Sequence, residues 1–178
     1  MEKRVQDYSK DILKVIRSNT SPAVMAGRLQ DFHENDLADV LPVLTVQERC
    51  KLYRILDLNM LSDVFEYTDS DNAAEYVKEM DVKKGAAILS RMETDALVEV
   101  LHKIDKAKKK LLFELMDDDV RHDIEMIASF DEDEIGSRMT TNCIIIRENL
   151  TVKQAMNSLV EQAAKNDNIS TIFVVTES

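Results

Sequence analysis

Between about residue 36 and residue 105 the chain repeats itself with a period of about 24, and no other feature constrains its fold as tightly. The aligned sets are Val40/Val64/Ile88, Leu41/Phe65/Leu89, Leu52/Tyr76/Val100, Tyr53/Val77/Leu101 and Leu56/Met80/Ile104. Each unit closes on an acid, at Asp57, Asp81 and Asp105, and a frayed fourth unit keeps Phe113, Met116 and Ile124 in register. Within a unit the apolar positions follow helical spacing, with a polar break near Thr45, Asp69 and Glu93. Thr45 with Glu48 has the form of a capping box, whose hydroxyl and carboxylate satisfy the orphan N–H groups of a helix start. Each unit reads as two short antiparallel helices that bury their faces only by stacking on neighbours. An ordinary helical bundle is the alternative. Several apolar columns agreeing on one offset favour the stack.

Composition supports this reading. Three Gly and two Pro in 178 residues favour helices with short connections over an all-β design. Aromatics make up only 5%, so the core is built mainly from Leu, Val, Ile, Ala and the nine Met. The formal charge of −11 argues against general nucleic-acid binding and points to cations or basic partners. Cys50 and Cys143 form no metal or disulfide pattern, which suggests reduced thiols in the cytosol. No segment approaches the roughly 18 apolar residues of a membrane span, and the first residues are too charged for a signal peptide.

Upstream, Arg4–Arg17 carries a helical pattern in Val5, Tyr8, Ile12, Val15 and Ile16, and Ser21-Pro22 is a good helix start. Downstream the pattern changes. Cys143–Ile146 is a short buried-strand candidate, and Thr151 with Gln154 opens a helix bearing Val152, Ala155, Met156, Leu159, Val160 and Ala163 on one face. Thr171–Val175 reads as a second buried strand. A βαβ unit with no Gly-rich turn is not by itself a nucleotide fingerprint. A chain ending at Ser178 would leave an apolar helix face and a strand edge uncovered.

The stretch Phe130–Thr141, FDEDEIGSRMTT, joins these parts: an acidic hinge running into Gly136-x-x-Met139-Thr140. This order of parts resembles the cytosolic half of MgtE-type magnesium channels and transporters, in which a helical N domain precedes a pair of CBS (cystathionine-β-synthase) domains and a membrane domain. The resemblance covers nearly the whole chain. It implies a mainly α, HEAT/armadillo-like superhelical stack at 1–129, a hinge at 130–141 and the start of a first CBS domain at 142–178. It also implies a place on the cytoplasmic face of the membrane, partners in the protein's own CBS and transmembrane domains, and a homodimer through the CBS pair.

The resemblance also indicates where magnesium would act. In such proteins N-domain carboxylates face an acidic CBS surface, and magnesium between them neutralises the repulsion. Aligned through Ala74-Glu75-Tyr76 and Ile88-Leu89, three acids fall on positions of that kind: Asp63 in LSDVF, and Asp95 and Glu99 in TDALVEVL. Asp95 and Glu99, four apart, share a helix face. Oxygen ligands suit Mg2+, which keeps several waters and needs only one or two carboxylates. Against this, Asp95 in a helix first turn, and Asp63 near the start of its own helix, would be stabilised by the macrodipole without any metal. With the CBS carboxylates missing, affinity should be weak. Asp131–Glu134 reads as a solvated connector, Asp117–Asp119 as a helix junction, and Lys106–Lys110 as a soluble turn.

Catalysis finds no support in the residues. His33, His102 and His122 lack metal spacing and a paired nucleophile, and there is no P-loop, HExxH or nucleophile elbow. A regulatory, non-enzymatic part is expected. Two rivals remain: a helical interaction module similar to those of flagellar-motor switch proteins, and a soluble regulator whose CBS pair senses adenine nucleotides.

Overall fold

The computed structural model describes residues 7–128, 143–163 and 171–176. The hinge expected at 130–141, with Asp131–Glu134, lies outside the described residues.

Ten α-helices make up residues 7–128: α1 (Ser9–Arg17), α2 (Pro22–Leu29), α3 (Glu34–Val40), α4 (Val46–Ile55), α5 (Leu58–Glu66), α6 (Ser70–Lys78), α7 (Val82–Leu89), α8 (Thr94–Lys103), α9 (Lys106–Glu114) and α10 (Asp118–Ala128). From α2 onward they start at residues 22, 34, 46, 58, 70, 82, 94, 106 and 118, an interval of twelve. The 24-residue period is therefore a pair of single-helix modules, and it extends beyond 36–105 in both directions. The acids that close each sequence unit open the next helix. Asp57, Asp81 and Asp105 accept the backbone N–H of Met60, Lys83 and Lys108 at 2.9, 2.9 and 3.0 Å. His33, Thr45 and Asp69 do the same for α3, α4 and α6. One position before the cap stands an apolar residue that anchors the turn: Leu44, Leu56, Met92, Ile104 and Met116 are all buried.

Packing runs chiefly between alternate helices: α1 on α3, α3 on α5, α5 on α7 and α7 on α9, with α6 on α8 and α8 on α10 in the other series. Twelve residues cover a short helix and a turn, so, the α4–α6 pair apart, each helix packs on the one two modules on. The core between them is continuous and includes Ile12, Met25, Leu29, Phe65, Ile88, Leu89, Leu97, Leu101 and Leu112. Small residues set the closest approaches. A Cβ on Gly85 of α7 would lie 3.3 Å from Val77 Cγ1 and 3.4 Å from Leu112 Cδ2.

The remaining described residues form β1 (Ile144–Arg147), α11 (Val152–Ala163) and β2 (Ile172–Val175). The strands pair in parallel with Ile144 opposite Ile172 and Arg147 opposite Val175, as a βαβ connection requires. Thr151 and Gln154 cap α11 as the sequence suggested, with the Gln154 N–H reaching the Thr151 hydroxyl at 3.4 Å. Gln162 closes the outer edge of β1: its amide accepts the Ile145 N–H at 3.0 Å and donates to the Ile145 carbonyl at 2.9 Å. The second strand departs from its sequence reading. Ile144 and Ile146 of β1 are buried, but Ile172, Phe173 and Val174 are exposed. Helix α11 packs chiefly on β1 and leaves its own Val152, Met156 and Val160 exposed, so among the described residues no element packs over β2.

Candidate cation-facing surface

The three candidate acids are all solvent-exposed. Asp95 lies in the first turn of α8, where its Oδ1 accepts the Ala96 N–H at 2.9 Å, and Glu99 follows one turn later. Asp63 does not sit near its helix start. Asp57 caps α5 at Leu58, which puts Asp63 in the second half, where the macrodipole opposes a negative charge. No helix-start argument accounts for it.

Two further acids complete the picture. Glu66 ends α5, and its Oε1 accepts the Glu93 N–H at 2.7 Å, tying the α5–α6 turn to the start of α8 one repeat later. Burial raises the Glu66 pKa, the Glu93 N–H lowers it, and the charges of Glu93, Asp63 and Asp95 raise it again. Asp63 and Asp95, on different helices, are thus close enough to act on one carboxyl. Glu99 stands farther along α8. Glu66 and Glu93 carry no sequence signature. Only the 24-residue offset, which sets the turn at 66–69 against the turn at 90–93, could have pointed to them.

The donor chemistry is that of a hard cation, but the geometry is open. Among the described residues no three or more His, Cys, Asp or Glu side chains are arranged to hold a metal ion. What the stack presents is a repulsive acidic surface with oxygen donors facing solvent. A separate open cleft of about 760 Å³ lies at the ends of β1 and β2 and is bordered by Ile145, Arg147, Leu150, Ser158, Gln162 and Val175. Among the described residues no helix is long and apolar enough to cross a membrane.

A stack of twelve-residue helical modules followed by a parallel βαβ unit defines a superhelical repeat domain joined to a small α/β segment. Residues 32–133, more than half of the chain, match the family model of the MgtE intracellular N domain, and the chain belongs to that family. It is 28% identical over 152 residues to the magnesium transporter MgtE of Thermus thermophilus, an alignment covering 84% of this chain and 34% of that protein. The chain thus spans about a third of the length of that relative. Its fold superposes on the crystal structure of the soluble part of a magnesium transporter with a TM-score of 0.81 at 26% identity, covering 95% of this chain and 66% of the other. It also superposes on the cytosolic domain of the Mg2+ channel MgtE in complex with ATP, with a TM-score of 0.84 at 24% identity, covering 95% and 69%. The mainly helical stack with its partial βαβ unit is the fold expected from the sequence.

Proposed function

We propose that this chain is the magnesium-sensing cytosolic part of a magnesium channel or transporter, a regulatory rather than a catalytic element. Residues 1–129 form its N domain, 130–141 its hinge and 142–178 the start of a CBS domain. The observation that supports the reading is the exposed set of carboxylates Asp63, Asp95 and Glu99 on two helices held together where Glu66 Oε1, at the end of α5, accepts the Glu93 N–H at the start of α8 at 2.7 Å. These acids repel one another and any acidic surface brought against them. A divalent ion bound better in the closed arrangement shifts the population toward it by that difference in affinity. Mg2+ would bridge these carboxylates to acids of the CBS region and stabilise a compact state that closes the pore. The partners are the protein's own CBS and transmembrane domains and a second copy in a homodimer, at the cytoplasmic face of the membrane.

The test is a magnesium titration followed by amide NMR, with sodium at matched ionic strength as control because the charge of −11 responds to any salt. Saturable shifts on α5 and α8 that vanish in the Asp63→Ala/Asp95→Ala/Glu99→Ala variant are expected. Diffuse shifts reproduced by sodium would sink the reading for this chain. The alternative of adenine-nucleotide sensing draws on the cleft beside Arg147, and saturable ATP binding measured by calorimetry would favour it.

A further inference from the structure

The helices of the second series are unevenly spaced. Helix α6 packs closely on α8 and α8 on α10, whereas α4 packs on α2 and α1 and scarcely approaches α6. The first series, α3 to α5 to α7 to α9, is unbroken. Beside the buried Leu52, Tyr53, Tyr76 and Val77, a polar cluster joins α4 to Glu79 at the end of α6. Arg49 Nε donates to both carboxylate oxygens of Glu79, at 3.2 and 2.9 Å, and the Tyr53 hydroxyl donates to Glu79 Oε2 at 3.1 Å. The guanidinium lies 4.6 Å from the Tyr76 ring centroid, and its Nη1 donates to the carbonyls of Leu41 and Leu44 at 3.2 and 2.6 Å. Cys50 Sγ donates to the Glu79 carbonyl at 3.7 Å, and Lys84 reaches across from α7 to the Tyr53 carbonyl. The Arg49 and Glu79 side chains are only 11% and 15% exposed.

We propose that this cluster is a latch across a hinge. Helices α4 and α6 open from one another about the continuous α3–α5–α7 series, and the Arg49–Glu79 pair holds the closed angle. The long side chains of Arg49, Tyr53 and Tyr76 act as spacers that keep the two helices apart. By contrast the buried Ala73 and Ala74 of α6 suit its close approach to α8. An interdigitated apolar seam resists opening along its whole length. A forked, charge-assisted contact is directional, and once broken its groups can take up water at a partly exposed seam. The hinge stands independently of magnesium. If the magnesium reading also holds, opening would move Asp95 and Glu99 on α8 relative to Asp63 on α5.

Hydrogen exchange by mass spectrometry on the 178-residue protein tests the latch. Glu79→Gln keeps the side-chain shape and removes the charge. Lys103→Gln removes an exposed pair with Asp71 and serves as control. In Glu79→Gln, exchange in 46–55 and 70–78 is expected to quicken by about tenfold or more while 94–103 and 118–128 keep their rates. Lys103→Gln should leave all four segments unchanged. Uniform acceleration of every helix, or none in α4 and α6, overturns the proposal. Should Glu79→Gln not fold, the unaltered protein in a urea series decides. A hinge gives α4 and α6 an opening with weaker urea dependence than that of α8, and one shared opening for all helices refutes it.

Discussion

The helical stack and the βαβ segment treat their apolar residues in opposite ways. In the stack Phe65, Ile88 and Leu89 are fully buried, while in the segment Phe173 is 52% exposed, Val174 68% and Val152 83%. Both regions are built from amphipathic elements, so the difference does not lie in local pattern. It lies in the supply of neighbours. A stacked repeat provides every interior helix with a partner two modules away, whereas among the described residues the helix and two-stranded sheet of the segment have no second layer to cover them. Periodicity in a sequence predicts which face an element offers, and only the topology decides whether anything covers it.

The largest test of that contrast replaces one phenylalanine in each region. Phe65→Ala removes a ring that contacts Tyr53 edge-on at 6.2 Å between centroids, inside the continuous core. It should cost about 3–5 kcal/mol, measured by urea denaturation. Phe173→Ala should cost less than about 1 kcal/mol, because its ring is already half in water. Equal losses would mean that β2 is covered in solution by a surface the described residues do not include, and the contrast would fall.

A smaller effect separates the two capping boxes, which share a geometry and differ in chemistry. At α4, Glu48 accepts the Thr45 N–H at 2.9 Å and the Arg17 Nε at 2.8 Å. At α11, Gln154 occupies the same place and cannot titrate. The Arg17 hydrogen bond, followed by the Thr45 N–H, holds the Glu48 carboxyl well below its usual 4.5, at about 2. A depressed folded-state pKa means that this contribution is complete above about 4.5 and is lost as the pH falls through about 2. Acidification over that window is expected to loosen the start of α4 in hydrogen exchange. It should leave the α11 cap unchanged by this route. Arg17→Gln should move the Glu48 titration, followed by NMR, upward. An unchanged Glu48 titration in that variant would show that the pair does not persist in solution.

How much could be read from the residues follows the same division. The aligned apolar columns revealed the 24-residue period. The twelve-residue module stayed hidden because its helix starts are chemically varied: Ser21, His33, Thr45, Asp57 and Glu93 all stand at equivalent positions. A helix start asks mainly for a local acceptor and an extended backbone, not for one residue type. Asp95 and Glu99 were legible as a helical pair, and their helix fell where expected. Glu66 was not, because its importance comes from a turn 27 residues away. The Arg49–Glu79 pair, 30 residues apart, was equally silent. It falls at a break in the repeat rather than on it, and a period cannot announce its own exceptions.

The smallest expected effect probes how strictly the stack follows its columns. Ala38, Ser62 and Ala86 fall 24 residues apart on α3, α5 and α7, and all three are buried. These small residues let successive helices of the first series approach. Ser62, a residue only 1% exposed, fills that place with a buried hydroxyl that has no hydrogen-bond partner among the described residues. A buried, unsatisfied polar group costs about 1–3 kcal/mol relative to a satisfied one, and alanine removes it with almost no change of volume. Ser62→Ala should therefore be neutral or stabilise the protein by up to about 1 kcal/mol in thermal or urea denaturation. A clear loss of stability would instead reveal that the hydroxyl finds a partner in solution, most simply a backbone carbonyl of the preceding turn. The column would then be tuned at this position by hydrogen bonding as well as by size.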